Sequence, residues 1–290
     1  MQGQVEHRVA CGPSEAERAA LVTLLADEDA TVFEAVRDRL VSYGPAVMEW
    51  LRPHTVSRDP VLRRHARAVI RHLARAEADD RFLSFCLQQG EHLDLESGAW
   101  LLARTADPDI SVEAYRALLD GFADELRPRL RGRHSARRVL AGINEYVFGE
   151  LGFAGNEQDY YDPLNSYLHS VLDRRLGIPI SLCVVYLLLG WRLRLPLAGV
   201  ALPGHFICRY QSAAEEWFID VFEGGRLLSK ADCVHALLRG HQVLGEQYLT
   251  PASPRRILTR MCGNLHQAYV HLAMHPEATR VRRNLVALTR

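Results

Sequence analysis

Apolar residues recur three and four positions apart through the first part of this chain. Leu21, Leu24 and Leu25, then Val32, Val36, Leu40 and Val41, keep the spacing of amphipathic helices on either side of Asp27-Glu28-Asp29. Ser42-Tyr43-Gly44-Pro45 ends one helix and opens the next. Further helical stretches are predicted at 46–51, 61–73, 81–88, 95–103 and 112–126. The segment from Leu24 to Leu51 reads as a HEAT-like helical pair. Two such pairs would make a short helical block over 15–130, short of a full array because the period is not sustained.

The pattern changes in the middle of the chain. A helix is predicted over 136–150, then a glycine-rich turn at 152–156, then helices over 163–175 and 177–191. Leu197–Leu202 reads as a strand. Pro203-Gly204 turns into two further alternating stretches, 205–210 and 216–222, which predict an antiparallel hairpin. Glu223-Gly224-Gly225 is the next turn, and 232–239 a short helix. Helices over 254–274 and 277–289 close the chain as a pair of tetratricopeptide-like form. The expected class is α+β: a HEAT-like block (15–130), an α+β core (136–245) and a helical pair (251–290). Residues 1–13 read as a loose leader.

Composition narrows the function classes. The 290 residues are 48% hydrophobic and 24% charged, with formal net charge zero. That is ordinary globular composition, with room for two or three subdomains. No global basic field exists to gather DNA or RNA. Arg127–Ser135 (RPRLRGRHS) is locally basic but lacks the interleaved aromatics of a single-strand binder, and it reads as a solvated connection. The apolar run 178–191 is too short to span a bilayer, and the first residues carry no basic-then-apolar signal pattern. Six scattered cysteines without a CxxC pair suggest reduced thiols in a cytoplasm. His205 and Cys208 lack a second ligand pair, so no metal is expected. No glycine-rich phosphate loop follows a strand, so no nucleotide cofactor is expected either.

The candidate chemistry is Cys183, His205 and Asp220, in that order. A thiolate near a helix N-terminus, a histidine within reach and a carboxylate orienting it would form a nucleophilic set. Ser181 is the expected N-cap, which would put Cys183 in the first turn. Each residue also has a bland reading. Cys183 sits among apolar neighbours as a small hydrophobe would. His205 starts a strand after Pro-Gly, and Asp220 lies in an apolar strand where a structural partner would explain it. Tyr160, Tyr161 and Asn165, in DYYDPLNSYL, could line a pocket or simply cap and pack.

The run GFAGNEQDYYDPLNSYLHSVLDRRLGIPISL, followed by GVALPGHFICRY and FIDVFEGGRLL, resembles the SirB-type transglutaminase-like proteins of bacteria. PRRILTRMCGNLHQAYV resembles their tetratricopeptide-like C-terminal region, and the similarity extends over roughly residues 20–290. The resemblance implies a papain-like transglutaminase core in which Cys, His and Asp act in order. His205 in PGHF matches the histidine. Asp220 in FIDVF matches the aspartate, although the usual Asp-Pro is Asp-Val221 here. Counting back from Pro196, the Gly-x-Cys of active members falls on Gly177-Ile178-Pro179. Proline cannot attack a carbonyl. Cys183, four residues on, would lie one helical turn deeper, about 6 Å along the axis.

The leading expectation is therefore a transglutaminase-like protein with degenerate catalysis. It would bind a protein or peptide through its cleft and helical flanks, with Tyr161, Asn165 and Ser181 as candidate binding residues. An active thiol acyltransferase or peptidase using Cys183, His205 and Asp220 is the alternative. A helical scaffold whose middle is purely structural is the third reading.

Overall fold

The computed structural model describes residues 13–88, 90, 93–239 and 246–289. The expected leader falls almost wholly outside the described residues, as does the last stretch of the expected core, 240–245. Two compact units divide between Asp80 and Arg81.

The first unit contains α1 (Glu15–Leu25), α2 (Ala30–Ser42), α3 (Val47–Leu51) and most of α4 (Pro60–Cys86). Asp29 starts α2 by accepting from the N–H groups of Thr31 and Val32. Leu25, Leu40, Leu51, Ala66 and Val69 form the core of this unit. The sequence pattern splits α4 into two pieces, but the helix is continuous. Residues 74–80 (ARAEADD) contain no glycine or proline, and alanine and glutamate favour helix enough to bridge the gap.

The second unit begins with α5 (Leu95–Ala106), α6 (Val112–Arg129) and α7 (Ala136–Asn144). Asp94, Ser111 and Ser135 cap their N-termini. The helix expected to reach residue 150 widens into a π-turn at Glu145–Glu150, where Leu151 N–H donates to Tyr146 C=O at 2.8 Å. Next come β1 (Ala154–Gly155), α8 (Leu168–Arg174), β2 (Leu176–Gly177) and α9 (Pro179–Arg192). The helix expected over 163–175 is two pieces, a 3-10 turn at Pro163–Asn165 and then α8.

β3 (Leu197–Leu202), β4 (His205–Gln211), β5 (Glu216–Asp220) and β6 (Arg226–Leu228) form an antiparallel meander in chain order. β6 escapes the sequence pattern because it has only three residues. Expected strand residues Val221 and Phe222 belong instead to a turn in which Gly225 N–H donates to Asp220 C=O at 2.9 Å. The chain closes with α10 (Lys230–Arg239), α11 (Pro254–His271) and α12 (His275–Leu288).

The centre of this unit is α9. Every residue from Pro179 to Gly190 is buried, the mark of a helix covered on all sides. Burying each of Val184, Leu187 and Leu188 fully contributes about 1.5–3 kcal/mol. The same core takes in Trp100, Leu119, Phe122 and Leu126 of α5 and α6. Those two helices therefore pack with the sheet-bearing unit, although the hydrophobic pattern assigned them to the block ending at 130. Arg255 at the start of α11 donates to the carbonyls of Gly90 (2.8 Å) and Leu288 (3.1 Å), tying the last helices to the segment after α4. Among the described residues, no helix is long and apolar enough to cross a membrane.

Candidate functional site

A cavity of about 640 Å³ opens where the start of α9, the β3–β4 turn and one face of α11 meet. Gly204 takes φ +69° in that turn, a left-handed conformation natural to glycine. The tight reversal pairs Leu202 with His205 and delivers His205 to the cavity wall. Behind it, His205 Nε2 lies 2.9 Å from Asp220 Oδ2. The side chains are 30% and 12% exposed, so the histidine faces the opening and the carboxylate sits behind it. Asp220 Oδ1 also accepts the Glu223 N–H at 3.3 Å. A carboxylate at Nε2 assigns the proton there and leaves Nδ1 as the acceptor on the ring. The sequence expectation of His205 and Asp220 on neighbouring strands matches this geometry.

The thiol is elsewhere. Pro179 is the first residue of α9, since its fixed φ and missing N–H suit that position. The N-cap is Ile178, not Ser181, and Cys183 falls in the second turn. Its Sγ points to the Phe206 carbonyl at 3.5 Å, and Cys208 Sγ lies 3.8 Å from the Cys183 carbonyl. Cys183 is fully buried, and desolvation pushes its pKa well above that of a free thiol, with neighbouring Cys208 pushing the same way. It is thus held as a neutral packing residue, away from the cavity. Pro179 and Ile180, by contrast, line the cavity beside His205.

The candidate binding residues separate in the same way. Tyr160 and Tyr161 line the cavity, and Tyr161 stacks on His271 with centroids 4.2 Å apart. Asn165 and Ser181 lie behind its wall. Asn165 Nδ2 donates to the Asp159 carbonyl at 2.7 Å and the Tyr160 carbonyl at 3.3 Å. Its Oδ1 accepts from Asn156 Nδ2 at 3.0 Å. Ser181 Oγ donates to the Asn165 carbonyl at 2.6 Å and accepts the Ile178 N–H at 3.1 Å. This buried network fixes the tyrosine turn against the start of α9. Asn165→Ala is expected to cost about 2–4 kcal/mol by stranding buried carbonyls. A urea midpoint equal to wild type would refute that role for the network.

Sequence reading missed the far wall. Arg256, Arg260, Asn264 and Gln267 of α11 all face the cavity. Their spacing of four, four and three was legible as a polar stripe. In sequence, however, such a stripe looks like any solvated helix face.

A packed α9 against an antiparallel sheet, with a His–Asp pair at the start of that helix, defines the class of protein. The family model of the transglutaminase-like superfamily matches residues 113–263, just over half of the chain. The chain belongs to that superfamily. A UPF0162 protein of Xylella fastidiosa (strain 9a5c) is 37% identical over 206 residues, covering 68% of this chain and 73% of the relative. A UPF0162 protein of Pseudomonas aeruginosa is 33% identical over 187 residues, covering 63% and 67%. F-box only protein 21 of Homo sapiens is 28% identical over 231 residues, covering 69% of this chain and 36% of that protein. No solved structure matches.

Proposed function

We propose that this chain is a catalytically degenerate transglutaminase-like protein that binds a peptide segment in the cavity beside His205. One observation carries the reading: Pro179, the first residue of α9, lines the same cavity as His205, and none of the five described cysteines does. Acyl transfer by this family's route needs a thiolate within hydrogen-bond reach of the imidazole. Cys183, neutral and turned to a carbonyl, is a poor candidate, so the active-enzyme alternative loses its support. The His205–Asp220 pair then serves as an oriented hydrogen-bonding group in the wall. Similarity to F-box only protein 21 supports a role in protein interaction.

The finer affiliation is SirB-type. The packing of α11 on α12 supports a tetratricopeptide-like pair. The free thiols of Cys86, Cys183, Cys208, Cys233 and Cys262 support a reducing, cytoplasmic setting.

The test has two arms. Pure protein should transfer no labelled amine to a glutamine-bearing substrate; transfer that disappears in Cys183→Ala would overturn the proposal. Peptides selected against the protein should lose binding in Gly263→Phe. Gly263 lines the cavity, and a Cβ there meets nothing within 4 Å, so the ring fills the cleft without straining the helix backbone. Affinity is expected to fall about tenfold or more, with the melting temperature kept, because phenylalanine is a better helix former than glycine. Undiminished binding would place the peptide site elsewhere.

A further inference from the structure

We infer that the cavity is built for an anionic peptide, whose carboxylates are received by Arg256 and Arg260. This rests on the cleft-binding reading and adds the charge of the ligand. Among the described residues, no aspartate or glutamate lines the cavity, although the chain as a whole is neutral. Two guanidinium groups stand one helical turn apart on α11 and face the same opening. Among the described residues Arg260 makes one long hydrogen bond, 3.4 Å to the Leu202 carbonyl. The exposed Arg256 side chain has no acceptor among the described residues.

The opposite wall has the same polarity. α9 is 14 residues long, and its N-cap, Ile178, has no side-chain acceptor to offset the helix end. The first two residues of that helix, Pro179 and Ile180, are cavity-lining. The positive end of the helix dipole therefore adds to the field of the arginines.

The remaining chemistry favours a peptide over a bare ion. A volume of about 640 Å³ far exceeds one carboxylate. Asn264 and Gln267 continue the arginine face with amides that both donate and accept, as a peptide backbone requires. Tyr160 and Tyr161 add aromatic surface at the rim. The planar forks of the two arginines suit the paired oxygens of a carboxylate.

Fluorescence anisotropy with two labelled peptides of equal length, one with alternating Glu and one with Gln in its place, tests this on the full chain. The Glu peptide should bind at least about tenfold tighter, the effect expected for hydrogen bonds to a charged group. Its affinity should fall with added NaCl. Arg256→Gln alone, at an exposed position, should weaken the Glu peptide and leave the Gln peptide unchanged. Arg256→Glu should shift preference toward a Lys peptide. Equal affinity for the Glu and Gln peptides overturns the inference; if Gly263→Phe still weakens both, the cleft reading survives it. If Gly263→Phe weakens neither, both fail. Binding of a phosphoserine peptide with no binding of the Glu peptide up to about 1 mM also overturns the carboxylate assignment.

Discussion

Pro179→Cys is expected to create a fast-reacting thiol in a protein whose five described cysteines are all buried. The new side chain would stand at the first position of α9, in the cavity that His205 also lines. Helix N–H groups and dipole stabilise a thiolate there, and a His205 that takes up the thiol proton would do the same, so the pKa should move below the free-thiol value of about 8.5. The sign is that of a stabilised anion: more thiolate at neutral pH, and a reactivity profile displaced toward acid. Cys11 lies outside the described residues, so the comparison is best made with Cys11→Ser in both backgrounds. Alkylation by iodoacetamide at neutral pH should be about 100-fold faster than for the parent, whose Cys183 has its pKa raised by burial. Adding His205→Ala should slow it. The same rate with and without His205 would show that the pair does not act on this position. Loss of the proline should cost no more than about 1 kcal/mol, through unfolded-chain entropy.

The second large effect concerns Cys183. Replacing it with aspartate is expected to destabilise the fold severely. The side chain is fully buried between α9 and β4, with the Phe206 carbonyl as its nearest acceptor. A carboxylate placed there meets an oxygen and no counter-charge. Leaving an uncompensated charge buried costs about 3–5 kcal/mol, a large part of a typical 5–15 kcal/mol stability. Cys183→Ala should remain folded and lose far less. Circular dichroism and urea unfolding of both variants decide the matter. A Cys183→Asp protein with the wild-type midpoint would mean that the thiol site is open to water, and the case for a purely structural cysteine would fall with it.

Much of the architecture was legible in the chain. Helical spacing at Leu21–Val41 and again at 254–289 located flanking helices, because burial of one face imposes a 3.6-residue period. Pro203-Gly204 marked the β3–β4 turn, and the short polar loop at 212–215 marked the β4–β5 hairpin that puts His205 and Asp220 on neighbouring strands, because a tight connection leaves the register little freedom. The π-turn after Asn144, the break between Asn165 and α8, and β6 were not legible. Each depends on contacts made from distant segments, such as Asn144 Nδ2 with the Gly225 carbonyl.

The resemblance to transglutaminase-like proteins put Pro179 at the nucleophile position, while local sequence rules were enough to determine the α+β class and the hairpin that carries His205 and Asp220. These follow from backbone constraints and hydrophobic period, which act over a few residues. Tertiary structure alone decided that Cys183 is turned into the core, that Asn165 and Ser181 hold the wall from behind, and that α11 supplies two arginines to the cleft. Cys183 and Pro179 are four residues apart on one helix, and packing around α9 gives one to the core and the other to the cavity. The arginines stand fifty-odd residues beyond His205, and only the folding of α11 across the cavity brings their charge to it.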